Sequence, residues 1–317
     1  MPAPKAPGAT VVLADPDPVI ISHASGPSFY FFRMLTIPAP AKINLHLEIL
    51  GLRSDGFHGL ETVFQTLALA DSLTVGVGPG TGITLACSDP TIPADERNLA
   101  WRAAAAIQAR RPHVGRIVIT LDKRIPHGAG LGGGSSDAAS VLLALNQQLE
   151  APLTMAELAA IALTLGSDVP FFLIGGTTHA TGRGEELTPL TALPPTPVTV
   201  LMPAAQLPTP SVFKELTAAE RGPRVARGAD WAANQPLAIL LHNRLTGPAR
   251  RLCPEVVALL DWLAVQGVPH LLSGSGAACF ALAHVMPPNG VRAYHTCTAP
   301  GAPEYLPHRM TCPRVDG

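Results

Sequence analysis

IPHGAGLGGGSSDAAS, residues 125–140, decides how the rest of the chain is read. Five glycines, Gly128, Gly130, Gly132, Gly133 and Gly134, separate a buried strand read over 116–123 from a helix expected from about Ser135 to Leu149. Glycine lets the backbone take φ > 0 and approach a ligand with no Cβ in the way. A helix start adds unsatisfied N–H groups and the positive end of the dipole, which together attract phosphate. Ser135 and Ser136 can cap that helix and offer hydroxyls to phosphate oxygens or a magnesium ion. Gly128, Gly130 and Gly133 satisfy GxGxxG, yet no acidic residue ends a following strand about 20 residues on, so a dinucleotide fold is set aside. No Lys follows the glycines, which removes the Walker P-loop. A ligand-free turn needs fewer glycines and no serine pair. The loop reads as an anion site.

Composition agrees with a small anionic ligand and argues against larger partners. Of 317 residues, 47% are apolar, enough for a full core, and only 14% are charged. With 22 basic and 23 acidic residues there is no electrostatic footprint for nucleic acid or an anionic membrane. No uncharged apolar run approaches the roughly 18 residues that a transmembrane helix needs. The five cysteines form an odd set with no CxxC, so neither a disulfide framework nor a zinc site is suggested. A soluble, cytoplasmic, globular protein is expected, as a monomer or homodimer. The first 33 residues hold six prolines and no signal-peptide pattern. They read as a disordered extension, with Met34 as the functional start and the patch VVLADPDPVIIS strand-like but without a partner.

Outward from the loop, AKINLHLEIL (41–50) alternates Ile43, Leu45, Leu47 and Ile49 against Lys42, Asn44, His46 and Glu48, a half-buried strand by its period of two. RSDGFHG (53–59) is a turn, 61–78 is one or two strands, and ITLAC (83–87) is another. A helix spans Asn98 to Arg111 and another 154–166; FFLIGG and TTHATG then read as strands. Ala138, Leu142, Leu145 and Leu149 form one core-facing stripe on the helix after the loop. Strands come first and helices later, which predicts an α+β fold. A Pro-rich boundary near 183–195 separates domains of 34–185 and 186–317. In the second, TPLTALPPTPVTVLMP (188–203) is a strand after a Pro-rich connection, helices fall around 236–246 and 254–266, and HLLSGSGAACFAL (270–282) is strand, turn, strand.

Read as PxxxGLGGGSSxAA, the stretch Pro126 to Ala139 resembles the phosphate-binding motif of the GHMP small-molecule kinases. Three further blocks narrow the resemblance to the 4-diphosphocytidyl-2-C-methyl-D-erythritol kinase family. They are PAPAKINLHLEILGLRSDGFHGLETVFQ (38–65), GSDVPFFLIGGTTHATGRGE (166–185) and LLSGSGAACFA (271–281). The resemblance implies a ribosomal-S5-like N-terminal half, a ferredoxin-like C-terminal half, and a cleft between them. It implies ATP-dependent phosphorylation of the 2-hydroxyl of a cytidine-diphosphate-linked methylerythritol, with ATP and Mg²⁺ as cofactors. By the same resemblance Asp168 is the general base and Lys42 orients the hydroxyl and the carboxylate. Pro126, the loop glycines, Ser135 and Ser136 hold the donor phosphates, and Asn98, Leu99 and Lys123 lie near its adenosine. Asn44 lines the cleft; Phe57, His58 and Phe213 take the cytosine, Thr209 sits near the diphosphate, and Gly274 and Ser275 belong to a turn closing over the phosphates. No metal ligand is named, although Ser136 is a candidate.

For each of these the structural alternative is concrete: Asp168 as a turn carboxylate, Lys42 as a solvated edge lysine, the aromatics as core. A Lys⁺ within a few Å would hold Asp168 ionised. If Asp168 fails as base, Asp55, Asp137 and Glu185 are next. Phe57 stands where the family has Tyr. Only HVMPPNG separates Ala283 from VRAYHTCTA, too short for a parallel crossover, which puts the end of the second half in doubt.

Overall fold

The computed structural model of the chain describes residues 19–21 and 30–301. β1 (Val19–Ile21) pairs antiparallel with the start of β2 (Tyr30–Leu52), so part of the VVLADPDPVIIS patch does have a partner. The rest of the expected extension, residues 1–18 and 22–29, lies outside the described residues, as does 302–317.

β2 and β3 (His58–Gly78) run antiparallel as the spine of the first sheet. β4 (Ile83–Cys87) and β5 (Arg116–Asp122) extend it in the order β1-β2-β3-β5-β4. β4 and β5 are parallel, so a crossover must join them. That crossover is α1 (Leu99–Arg110), whose cap Asn98 accepts the Ala100 N–H at 2.9 Å. α2 (Gly133–Gln148), α3 (Met155–Leu165) and α4 (Val169–Ile174) pack with α1 over one face of the sheet. Ala138, Leu142 and Leu145 are fully buried there, with Leu149 packed at the margin. α3 starts with a capping box between Thr154 and Glu157.

Two expectations need correction here. α2 starts at Gly133, with Gly132 in the left-handed region as its cap, so Ser135 and Ser136 lie inside the helix and neither caps it. FFLIGG is not a strand: most of it is α4, with Pro170 in the first turn and Val169, Phe171, Phe172 and Leu173 all buried. A short element buried all round has no period to read, and helix and strand look alike.

β6 (Thr177–Thr181) adds to the far side of β3, and β7 (Glu186–Pro189) pairs with β6. The second sheet begins at β8 (Pro197–Met202). Short helices follow: α5 (Thr209–Lys214), α6 (Ala218–Arg221), α7 (Ala229–Ala233) and α8 (Leu237–Leu240). The helix expected over 236–246 is cut by β9 (His242–Asn243), which pairs in parallel with His46 and Leu47 of β2. α9 (Thr246–Leu252) and α10 (Pro254–Val265) lead to β10 (His270–Leu272), β11 (Cys279–Ala281) and β12 (Arg292–Cys297). The order is β10-β11-β8-β12, antiparallel throughout.

β11 and β12 run the same way on either side of β8, joined by residues 282–291 without a helix. The expected obstacle disappears. The gap is two strand spacings sideways, about 10 Å, and the three residues from Thr199 to Met202 along β8, about 10 Å more, while ten extended residues reach roughly 33 Å. Thr199 anchors the connection by donating to Ala283 O at 2.7 Å and accepting from Val285 N at 3.1 Å. The two sheets meet through Ile43, Leu45, Val63 and Leu67 on one side and Val198, Val200 and Phe280 on the other.

The alternation over 41–50 does not survive intact. Asn44 lies opposite Phe64 and His46 opposite Val63, so Leu45 is an extra residue, a β-bulge. The bulge reverses the phase from His46 to Ile49, where a second irregularity follows. Lys42 and Asn44 face the same way as Phe64; beyond the bulge Leu47 and Ile49 take that face, and His46 and Glu48 turn to the other. Both faces are covered, so residues 41–49 are buried rather than half-buried.

Candidate active site

A cleft of about 170 Å³ lies where these elements converge. Its walls are Lys42, Asn44 and Leu47 of β2, Leu60, Thr62 and Phe64 of β3, and Gly130 and Gly132 of the glycine loop. Asp168, Thr209, Phe213, Leu245, Gly274 and Ser275 complete them. Residues from all four sequence blocks therefore meet around one small space.

Lys42 is buried, not a solvated edge lysine. Its Nζ donates to Asn44 Oδ1 at 2.8 Å and stands 3.7 Å from Asp168 Oδ2. Asn44 is held in turn, donating to Thr62 Oγ1 at 2.8 Å. Burial pulls the Lys42 ammonium below its ordinary pKa, while Asp168 pulls it back up. Asp168 occupies the cap position of α4 but makes no capping bond, and its side chain is 37% exposed. It is not the self-bonded turn carboxylate of the alternative reading. One oxygen faces a cation, and the carboxylate stays open to the cleft.

The glycine loop is tied to this pair through the backbone: Lys42 N–H donates to Leu131 O at 2.9 Å. Gly130 and Gly132 both have φ of 72°. A Cβ on Gly132 would come within 2.7 Å of Phe172 and 3.1 Å of Lys42 Cγ, and one on Gly130 would strike the Ser273 carbonyl. Glycine is required there because the 273–276 turn closes on the loop, Ser273 Oγ donating to Gly130 O at 3.2 Å. Gly274 belongs to that turn, and Ser275 Oγ lies 2.7 Å from Thr209 Oγ1. Ser136 Oγ is fully buried and has no partner. An orphaned buried hydroxyl costs about 1–3 kcal/mol, so this one fits a bound phosphate oxygen or its metal. Among the described residues no group of three or more His, Cys, Asp or Glu could hold a metal ion.

The donor-side residues are less uniform. Lys123 Nζ donates to Asp137 Oδ2 at 2.8 Å and to the Asp71 carboxylate, and all three side chains are buried. Burial, joined by the nearby Asp71, raises the Asp137 carboxyl against the opposing pull of Lys123. The Lys123 charge is spent on these carboxylates, and its Nζ packs beneath Gly133. Lys123 and Pro126 line a separate cleft of about 450 Å³ that also holds His127, Arg292 and Tyr294. Asn98 uses both side-chain atoms locally, as the α1 cap and as donor to Pro93 O at 2.8 Å. Leu99 reaches the start of α2 near Gly134. Gly128 also has positive φ, but open space surrounds it.

His58 and Phe213, both expected at the cytosine, lie with ring centroids 5.2 Å apart and their planes tilted by 42°. Burial first, then Arg221, lowers the His58 pKa. Phe57 does not line the small cleft; its ring projects from the 53–57 turn, 51% exposed. The reserve carboxylates are all engaged elsewhere. Asp55 accepts Arg53 and the Phe57 N–H, Asp137 is paired with Lys123, and Glu185 accepts the Arg183 N–H. Leu47, Leu60, Thr62, Phe64 and Leu245 escaped the sequence reading. Strand pairing would have revealed Thr62 and Phe64 opposite β2, but Leu47 reaches the cleft only because of the bulge, for which the sequence has no local signal.

Two family profiles match the chain: GHMP kinases N terminal domain over residues 98–176 and GHMP kinases C terminal over 216–294. The chain is 42% identical over 262 residues to a 4-diphosphocytidyl-2-C-methyl-D-erythritol kinase of Polaromonas sp., covering 78% of this chain and 82% of that protein. It is 41% identical over 262 residues to the enzyme of that name from Moorella thermoacetica, covering 79% and 90%. A crystal structure of a 4-(cytidine 5'-diphospho)-2C-methyl-D-erythritol kinase superposes with a TM-score of 0.71 at 39% identity, over 83% of this chain and 99% of that one. With four motif blocks closing on one cleft and this depth of similarity across both halves, the chain belongs to the GHMP kinases and, among them, to the 4-diphosphocytidyl-2-C-methyl-D-erythritol kinase family.

Proposed function

We propose that the protein transfers the γ-phosphoryl group of ATP to the 2-hydroxyl of 4-diphosphocytidyl-2-C-methyl-D-erythritol, in the cytoplasm. The observation that carries this reading is the Lys42–Asp168 pair, 3.7 Å apart, lining one cleft of about 170 Å³ together with Gly130 and Gly132. A hydroxyl seated there has an acceptor for its proton on one side and the phosphate loop on the other. Asp168 takes the proton as the hydroxyl oxygen bonds to phosphorus and the bond to ADP breaks. Lys42 neutralises charge on the transferring group and keeps the carboxylate aimed. Positioning and charge do most of the work, because a carboxylate is a weak base for an alcohol. The α2 N-terminus and Ser136 would hold the donor phosphates and their Mg²⁺, which supplies charge neutralisation when bound.

His58 and Phe213 take the cytosine, with Phe57 as a platform at its edge, and Thr209 and Ser275 face the diphosphate. Among the described residues no helix is long and apolar enough to cross a membrane, and the reading involves no nucleic acid. The test is a panel of alcohols offered with ATP and Mg²⁺. ADP release should be at least 100-fold faster with the cytidine substrate, roughly what a few well-placed contacts supply, and phosphorus NMR should place the new phosphate on the 2-hydroxyl. Equal turnover with homoserine or mevalonate would remove the assignment.

A further inference from the structure

We propose that Arg183 is a positioning residue for acceptor selection: it fixes the pose of Phe57 and links that platform to the loop carrying Asp168. Arg183 sits in the tight turn between β6 and β7, where its backbone N–H is held by the Glu185 carboxylate. Its guanidinium carbon lies 3.7 Å from the centre of the Phe57 ring, so the two planes stack. Its Nη2 donates to Ser167 Oγ at 3.2 Å, and Ser167 is the residue before Asp168. One side chain therefore touches the aromatic turn after β2, the β6–β7 turn and the loop of the general base.

Phe57 has no other described ring partner and half its surface is in solvent. An exposed ring of this kind has no packing to hold its rotamer. The stacked guanidinium favours one orientation of the ring, and it covers one face only. The opposite face remains a flat apolar platform, which suits a planar nucleobase and offers nothing to a small aliphatic alcohol. Lysine cannot substitute, since an ammonium has no plane with which to stack and bond Ser167 at once. Arg183 Nε is buried without a partner. A guanidinium kept only to satisfy local hydrogen bonds would not leave that donor orphaned.

The inference rests on the reading of Phe57 as the base platform, and its test separates the two. Steady-state kinetics are measured for Arg183→Met, Arg183→Lys, Phe57→Ala and the Arg183→Met/Phe57→Ala double variant, with CDP and inorganic pyrophosphate as competing ligands. Losing about 1 kcal/mol of orientation corresponds to about a fivefold change. Arg183→Met should therefore raise KM for the cytidine substrate and the inhibition constant of CDP about fivefold, with kcat changed less. Arg183→Lys should not restore either, pyrophosphate inhibition should be unmoved, and the double variant should match Phe57→Ala alone. If Phe57→Ala raises KM and Arg183→Met does not, this inference fails while the platform stands. If Phe57→Ala leaves KM unchanged, the platform itself is wrong. Full rescue by Lys, or a fall in melting temperature with equal losses for CDP and pyrophosphate, would make Arg183 merely structural and overturn the proposal.

Discussion

On either side of Leu45, β2 carries two polar side chains at alternate positions, Lys42 and Asn44 before it and His46 and Glu48 after it. The bulge sends them to opposite faces of the sheet. The two pairs also live differently. Lys42 has one short bond, to Asn44, and a long approach of 3.7 Å to Asp168, with the cleft open beside it. Glu48 is saturated: Arg244 donates to both its oxygens at 2.7 and 2.8 Å, Ile49 N donates at 3.0 Å, and His242 Nε2 lies 3.2 Å away. Arg244 and His242 come from the second half of the chain, so that network fastens β9 and α9 to the first sheet. A charge with unfinished contacts beside an opening is available to a substrate, whereas one with every lone pair engaged is holding elements together.

The contrast is broken or sharpened by four substitutions. Asp168→Asn should lower kcat by roughly 10²–10⁴, the range for loss of a general base, and leave stability within about 0.5 kcal/mol. Lys42→Met should lose turnover similarly, and the double variant should be little worse than the worse single one, because both act on one arrangement. A stability loss in place of a turnover loss for Asp168→Asn would erase the distinction between the two ends.

Glu48→Gln should do the reverse, keeping kcat and costing about 2 kcal/mol in denaturant melts. That is below the 3–5 kcal/mol of a fully buried broken pair, because Arg244 is 28% exposed. Burial pushes the Glu48 carboxyl up, but the bonds from Arg244 and His242 outweigh it and hold the pKa well below the ordinary 4.5. Its stabilisation is therefore complete above about pH 4.5 and is lost as pH falls through the depressed value. The gap between wild type and Glu48→Gln should narrow on acidification; a gap that widens would refute the network.

His46 contributes only on acidification. Burial, and then the neighbouring His242, hold it down at about 4 against an ordinary 6.5. The folded state keeps it neutral while the unfolded chain takes a proton below 6.5. Stability should decline by on the order of 2 kcal/mol between pH 6.5 and 4 on this account. His46→Phe, which preserves the edge contact with Trp231, should flatten that part of the pH–stability curve.

Much of this was legible in the residues themselves. The glycine loop announced its backbone needs, and Gly130 and Gly132 do take positive φ against the closing turn and Phe172. Asn98, Thr154 and Gly166 marked helix ends at their observed places because caps act within a few residues. What stayed hidden depends on contacts distant in sequence. α4 is buried on all sides, so its helix left no periodic trace. The break in the helix near 242 exists because β2 offers a pairing edge almost 200 residues upstream. Lys123 reads as a donor-site lysine, yet its two carboxylates arrive from β3 and α2. The bulge at Leu45 is set by register with β3, and no residue nearby spells it out.

The extra residue at 45 has no opposite number on β3, so β2 could lose it and keep step with its neighbour. With residue 45 gone, Asn44 would still face Phe64, His46 would face Val63 and Leu47 would face Thr62. Glu48 would keep its face and Arg244, and Leu47 the wall it forms with Thr62. What would disappear is a fully buried leucine from the seam between the sheets. Its loss should cost about 2–5 kcal/mol, against about 1 kcal/mol for the milder changes Ile43→Val or Leu45→Met. A three-nucleotide deletion at this codon should therefore register in the melting curve while the paired residues on both faces stay where they are.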